Sequence, residues 1–334
     1  MEGPPKRLHI CLGLACNNNC LFCMEDDREA RARRLSSITT EAARQIMAQA
    51  SDRTEIMFTA GEPTLREDLP ELLQDAKRLG FKQIGMISNG RRLSYRPYLD
   101  GLVRRGLNYV LVSVHGSVPR LHDGLTRTPG SFRQTVAGMH NIATLRAEGV
   151  KLRFATSTVL NRRNLPDLAG QIRFLTTYSP DEMVFNAIQP LGRGEQHFNR
   201  LVPRYSEMVS ALHEAFSELQ AIPDNLRVLD IPLCMTGSLP ESVLGKIERH
   251  RHFEPEADIP LGADRVESDE NAVLQSGEVR LRLVTKEGLD DVMRLKEPGC
   301  SECREFDKCD GVWRRYVQEY GFDEFRPVLE EVPS

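Results

Sequence analysis

The chain has 334 residues, room for one large domain or two modest ones, and its 40% hydrophobic and 28% charged content is that of an ordinary globular protein. A formal charge of -4 gives no electrostatic reason to expect a nucleic-acid partner. Residues 1–6 lack the apolar core of a secretion signal, and no apolar run approaches the ~20 residues of a membrane span, so a cytoplasmic protein with no membrane contact is expected.

Short aliphatic and β-branched runs bounded by Gly, Asn or Pro predict strands over residues 8–14, 55–59, 83–88, 109–115, 152–160 and 182–188. Amphipathic stretches between them predict helices over 40–49, 69–79, 95–105, 132–148, 165–176 and 205–220, with Thr39 or Thr40 and Asn164 as helix starts. The arginines of residues 28–34 read as a solvated helix face. Six strand–helix units in succession imply parallel strands with right-handed crossovers. Such an α/β chain is a partial (β/α)6 TIM-like barrel if it curls and a doubly wound sheet if it stays open. After residue 226 the rhythm breaks: Pro232, Pro240, Pro255 and Pro260 punctuate the chain, residues 264–271 are acidic, and 279–284 suit a short strand. Few apolar residues remain there, so the segment needs a staple.

Eight cysteines fall at 11, 16, 20, 23, 234, 300, 303 and 309. In a reducing compartment this clustering favours metal or cluster binding over disulfides. Cys11 lies in the first strand, as a core residue. Directly after that strand comes Cys16-Asn17-Asn18-Asn19-Cys20-Leu21-Phe22-Cys23, at the strand end where barrels and α/β sheets collect their chemistry. Three thiolates there can converge on one centre, with no fourth ligand in the loop and no nearby histidine to complete a zinc site.

This CxxxCxxC pattern resembles the signature of the radical S-adenosylmethionine (SAM) superfamily. The resemblance implies that Cys16, Cys20 and Cys23 hold a [4Fe-4S] cluster whose fourth iron takes SAM, giving a 5′-deoxyadenosyl radical that abstracts hydrogen from substrate. Phe22 would shield the cluster. Phe58-Thr59-Ala60-Gly61-Glu62-Pro63-Thr64-Leu65 resembles the family's GGEPTL segment, with Ala60 in place of the first glycine, so Gly61, Glu62 and Pro63 would meet the SAM amino group. The same resemblance puts Ser88, Asn89, Ser113, Ser157 and Asn161 at strand ends around SAM, Ser113 on its ribose, and residues 190–192 beside the adenosine. His115 stands where the family often has an acid. His122 and Arg127, in the loop after the fourth strand, are candidates whose ordinary reading is solvated loop residues.

Cys300, Cys303 and Cys309, with Cys234 upstream, resemble the SPASM/Twitch extension of such enzymes, reduced to four cysteines with Trp313 where another would follow. The resemblance implies at most one auxiliary [4Fe-4S] cluster, and a four-cysteine zinc site is also open. The expected organisation is a barrel over residues 1–225 and a cluster-binding extension over 226–334 that caps the barrel mouth. The family implies an electron donor of flavodoxin or ferredoxin type and, as first reading of the substrate, a ribosomal peptide or protein side chain. The second reading is a small molecule such as a sugar or cofactor precursor. No peptide-recognition segment precedes the predicted barrel, which favours the second. No residue is assigned as hydrogen donor or general base, with nothing to select Cys234 or Tyr316. A zinc-stabilised, non-catalytic binding protein would leave the pairing of CxxxCxxC with Gly61-Glu62-Pro63 unexplained.

Overall fold

The computed structural model describes residues 7–25, 27–33, 38–50, 53–244, 256–258, 273–276, 279–284 and 293–329. Residues 1–6, Arg34, Pro255, Pro260 and the acidic run 264–271 lie outside the described residues. Seven strands, β1 (Arg7–Cys11), β2 (Glu55–Thr59), β3 (Gln83–Ser88), β4 (Tyr109–Ser113), β5 (Arg153–Leu160), β6 (Glu182–Ala187) and β7 (Leu226–Leu229), pair in parallel and in chain order. The six expected strands are present, and β7 extends the sheet beyond them. β1 continues on its other side into β8 (Glu256–Asp258), then antiparallel β10 (Val279–Val284) and β9 (Val273–Ser276). The small pair β11 (Arg294–Leu295) and β12 (Val312–Trp313) stands apart.

The helices are α1 (Arg28–Arg33), α2 (Thr40–Gln49), α3 (Leu69–Arg78), α4 (Arg96–Arg104), α5 (Pro119–Thr126), α6 (Ser131–Ala147), α7 (Leu168–Thr176), α8 (Arg193–Gln196), α9 (Phe198–Leu201), α10 (Tyr205–Ser217), α11 (Glu241–Leu244) and α12 (Arg314–Tyr320). The clearest inward apolar stripe is on α3, where Leu69, Leu72, Leu73 and Ala76 fall at i, i+3, i+4 and i+7. Thr39 caps α2 by accepting the Ala42 N–H at 3.1 Å. Asn164 stands at the start of the 3₁₀ turn Leu165–Asp167 that leads into α7, without a side-chain cap bond; its amide donates to the carbonyls of His115 and Val159.

Met57, Tyr109 and Ala155, from β2, β4 and β5, meet in one small interior cluster with Ile87 and Leu111. Side chains two strands apart on a flat sheet would stand nearly 10 Å from one another, so the sheet curls into a partial TIM-like barrel. Its floor, at the strand N-termini, is closed by Arg7–Glu55 (2.7 Å), Arg153–Glu182 (3.2 Å) and Arg227–Glu182 (3.4 Å), with Arg153 lying over the Tyr109 ring. That leaves the opposite, C-terminal rim for ligands.

Residues 293–329 are fastened to this rim along an aromatic seam. The Tyr205 N–H donates to the Tyr316 hydroxyl at 3.0 Å, the Ser206 N–H to Glu324 at 3.0 Å, and the Tyr320 hydroxyl to the Val202 carbonyl at 2.9 Å. The Tyr205 and Tyr316 rings pack with centroids 4.6 Å apart, against Phe198, Tyr320 and Phe325. A second tie joins the end of β7 to β11: Arg294 pairs with Asp230 at 3.0 Å and covers the Trp313 ring at 4.0 Å. Among the described residues no helix is long and apolar enough to cross a membrane.

Candidate active site

The loop that carries Cys16, Cys20 and Cys23 leaves β1 at the open rim and is tied down by residues that follow β3, β4 and β6 and by Arg31 on α1. The Asn19 and Leu21 N–H groups donate to the carbonyls of Thr126 and Leu125 at the end of α5, each at 2.9 Å. Arg193, after β6, donates to the carbonyls of Asn19 (2.6 Å) and Cys20 (2.8 Å) and to the Asn19 side chain (2.7 Å). Arg91, after β3, bonds the Asn17 carbonyl and, at 3.0 Å, the Asn18 side chain. Arg31 is buried, not solvated: it donates to the Asn18 carbonyl at 3.0 Å and approaches the Cys23 sulfur at 3.9 Å. The three asparagines between the first two cysteines are thus the loop's tie points.

The three thiols stand close enough to perturb one another. Burial raises the Cys20 thiol far above its ordinary range, with Cys23 and Cys16 adding and Arg31 and Arg193 opposing. Burial likewise raises Cys16 and Cys23, against the Asn18 N–H at Cys16 and Arg31 at Cys23. Bound there, a cationic iron core would supply the charge that favours the thiolate forms of Cys16, Cys20 and Cys23. With the Asn89 amide 3.9 Å from the Cys16 sulfur, the donor set fits a [4Fe-4S] cluster with three protein ligands. Phe22 is buried behind the loop, edge-on to the His115 ring at 4.5 Å.

The segment after β2 is built around Glu62. This carboxylate is buried and its acceptor sites are filled by the Thr64 hydroxyl (2.6 Å), Thr64 N–H (3.2 Å), Ser88 hydroxyl (2.7 Å) and Asn89 N–H (2.7 Å). Burial raises its pKa while these four donors pull the other way. Glu62 therefore locks the ends of β2 and β3 together, and Ser88 and Asn89 are held by it. Pro63 opens the short 3₁₀ turn that follows. Gly61 has φ +53°, and a Cβ there would lie 2.4 Å from the Ala15 carbonyl oxygen, so only glycine lets the two loops touch. Ala60 sits at φ +64°, a left-handed conformation that strains an alanine. Ala60→Gly is expected to stabilise the protein by up to about 1 kcal/mol, read as a higher urea midpoint with an unchanged slope.

Ser113 and Ser157 pair across β4 and β5. The Ser157 oxygen accepts from Asn186 on β6 at 3.0 Å, and Ser113 makes no side-chain bond among the described residues. Asn161, by contrast, is buried in its own turn, donating to Val159 and accepting from Arg163. Gly192 presses against the Met24 backbone of the cysteine loop.

His122 is buried, contrary to the solvated loop expected. Its Nδ1 accepts the His115 N–H at 3.2 Å, and burial first, with Arg91 adding and Asp123 opposing, lowers it to about 4. The His115 Nδ1 accepts the Val159 N–H at 3.3 Å, and burial, then His122, keeps that ring neutral. Arg127 is exposed. Asp123 anchors the start of α6, accepting from Gly130 N–H (2.7 Å), Phe132 N–H (2.7 Å) and the Ser131 hydroxyl (2.9 Å). These donors outweigh burial and lower its pKa. A folded pKa below the unfolded ~3.9 means that its stabilisation is complete above that pH and is lost as pH falls through the folded value. Asp123→Asn is expected to cost about 1 kcal/mol at neutral pH and almost nothing at pH 2, read by denaturant titration at both.

Cys234, Cys300, Cys303 and Cys309 line one cavity with Phe306, Phe322 and Phe325. Val328 N–H reaches the Cys303 sulfur at 3.3 Å and Gly311 N–H the Cys309 sulfur at 3.4 Å, while the backbone at Arg326 and Glu297 bonds the other two. Burial pushes the Cys234 thiol up to about 11, with Cys309 the next contributor. Among the described residues no three His, Cys, Asp or Glu side chains close on a single-ion position. Tyr316 lies in the seam, donating to Glu324.

Residues 10–172 match the Radical SAM superfamily. The chain is similar to human (Homo sapiens) "Molybdenum cofactor biosynthesis protein 1", 28% identical over 222 residues, covering 65% of this chain but only 33% of that protein. It is also similar to the "Probable GTP 3',8-cyclase" of Sulfolobus acidocaldarius, 29% identical over 191 residues, 57% of this chain and 58% of that one. The chain thus spans between a third and three-fifths of these relatives. Its fold is that of Streptococcus suis SuiB, solved bound to precursor peptide SuiA, with a TM-score of 0.62 at 14% identity over 98% of this chain and 75% of that chain. The cysteine loop and the ends of β3 and β4 that brace it lie within the match, so the chain carries a Radical SAM domain over residues 10–172.

Proposed function

We propose that this enzyme abstracts hydrogen from a small-molecule substrate, a nucleotide or similar cofactor precursor. When bound at Cys16, Cys20 and Cys23, the cluster supplies the electron that cleaves SAM to methionine and a 5′-deoxyadenosyl radical. In this reading the Gly61 backbone lets SAM approach the rim, and Glu62, Pro63, Ser88 and Asn89 keep that rim in shape. The Ser113 and Ser157 hydroxyls offer hydrogen bonds to the ribose, and Asn161 holds the turn beneath. The observation that carries the substrate class is the similarity to a molybdenum cofactor biosynthesis protein and a probable GTP 3',8-cyclase.

In the same proposal residues 226–334 include a SPASM/Twitch-like module whose Cys234, Cys300, Cys303 and Cys309 hold a second [4Fe-4S] cluster. Backbone N–H donors at the sulfurs support this, because such bonds stabilise thiolates and tune a cluster's potential. Four cysteine ligands leave no iron open, so the cluster would pass electrons and not bind substrate. A flavodoxin- or ferredoxin-type protein would supply the reducing electron.

The test is anaerobic incubation of the reconstituted enzyme with SAM, dithionite and either GTP or a short cysteine-bearing peptide. Expected is 5′-deoxyadenosine above the substrate-free level with GTP, carrying deuterium when the ribose C–H positions are deuterated. Stimulation and label transfer from the peptide alone would overturn the small-molecule reading in favour of peptide modification.

A further inference from the structure

We propose that Arg31 is the countercharge of the cluster site, a buried cation at the Cys23 sulfur that makes the cluster easier to reduce. The inference rests on Cys16, Cys20 and Cys23 holding the SAM-cleaving cluster. Arg31 belongs to α1, whose sequence Arg-Glu-Ala-Arg-Ala-Arg reads as a solvated face, yet it is only 4% exposed. α1 is fastened to the cysteine loop: the Arg28 N–H donates to the Asn19 side chain at 3.0 Å and the Arg31 N–H to the Asp27 carbonyl at 3.0 Å. From there the Arg31 Nη2 donates to the Asn18 carbonyl at 3.0 Å, and Nη1 meets the Cys23 sulfur at 3.9 Å. Its Nε is buried with no hydrogen-bond partner.

A guanidinium keeps its proton, and a buried cation without an anion is costly. The equally buried Arg294 has Asp230 at 3.0 Å, whereas among the described residues no carboxylate lies within ion-pair distance of Arg31. The anions left to it are the cysteine sulfurs. Burial raises all three thiols, and Arg31 opposes that at each, against Glu62 at Cys16 and Glu25 at Cys23. Arg91 and Arg193 brace the same loop but direct their hydrogen bonds to oxygens, not to sulfur. Reduction brings one electron to the site with no bond made and no proton moved. A fixed cation beside the sulfurs therefore stabilises the reduced form more than the oxidised one.

The experiment is a potentiometric titration of the anaerobic reconstituted enzyme with dithionite, followed by the electron paramagnetic resonance signal that SAM alters. Iron content is measured alongside. SAM alters only a cluster with an open iron, so a fully ligated auxiliary cluster does not enter the reading. In Arg31→Gln, with native iron content, the ratio of reduced to oxidised cluster at a fixed potential should fall at least about tenfold, a downward shift of ~59 mV for one electron. Arg31→Lys, which keeps the charge, should titrate close to the native enzyme. The shift should persist in high salt, because a buried charge is screened little. An unshifted Arg31→Gln, or an Arg31→Lys shifted as far as Arg31→Gln, would overturn the proposal. Loss of iron from either variant would also overturn it, leaving Arg31 as a structural brace of the loop. A native enzyme with no SAM-responsive signal would instead remove the cluster reading, and the proposal with it.

Discussion

Alanine in place of Cys16, Cys20 and Cys23 together is expected to lower the iron of the reconstituted protein from about eight to about four per chain and to abolish 5′-deoxyadenosine formation. The loss should be complete because the loop's other groups, Asn18, Asn89 and Arg31, reach the sulfurs as donors and offer no ligand in their place. The iron that remains should sit at Cys234, Cys300, Cys303 and Cys309, whose cavity lies on a separate part of the chain. About four irons falling to none would leave the C-terminal cysteines as a zinc staple. No iron in either protein would overturn the cluster assignment altogether.

Gly61→Ala should be the most damaging single substitution outside the cysteines. The new methyl group would meet the carbonyl oxygens of Ala15 at 2.4 Å and Gly13 at 2.5 Å, both backbone atoms, at a φ of +53° that already disfavours any side chain. The next residue also has its N–H on the Ala15 carbonyl at 2.7 Å, so the two loops cannot part without losing that bond. A cost of about 3 kcal/mol is expected, together with loss of SAM binding, read by thermal denaturation and equilibrium dialysis. A variant that melts with the native protein and still binds SAM would show that the contact between the loops is dispensable. Ala60→Gly, one residue earlier, should move stability the other way, so the pair separates backbone strain from steric contact.

Much of this was readable before any coordinates. Parallel strands and their helices announce themselves by period, and the cysteines by a spacing that few other chemistries require. What the sequence hid was the ownership of polar side chains. Glu62 reads as a partner for the SAM amino group, yet its acceptors are taken by Ser88 and Asn89, 26 and 27 residues away, and sequence pattern says nothing of such distant donors. Arg31, Arg91 and Arg193 look like any surface arginine until the fold lays them against the carbonyls of the cysteine loop. His122 was hidden for the same reason, since its partner is a backbone N–H on the preceding strand's exit. β7 is only four residues long and follows Pro223, so neither length nor period marks it. Asp123, by contrast, has its partners within nine residues, holding the start of α6 by the N–H groups of Gly130 and Phe132.

The aromatic seam between α10 and α12 bears on how the molecule comes apart. Tyr205 and Phe198 belong to the barrel, yet Tyr205 is covered by Tyr316 and Phe325 and Phe198 by Tyr316 and Tyr320, all from beyond residue 293. A chain cut before that point would bare those rings and leave the Tyr205 N–H without its acceptor. The separated barrel would be a sticky fragment, and calorimetry of the whole protein should show one melting transition where two loosely tethered units would give two.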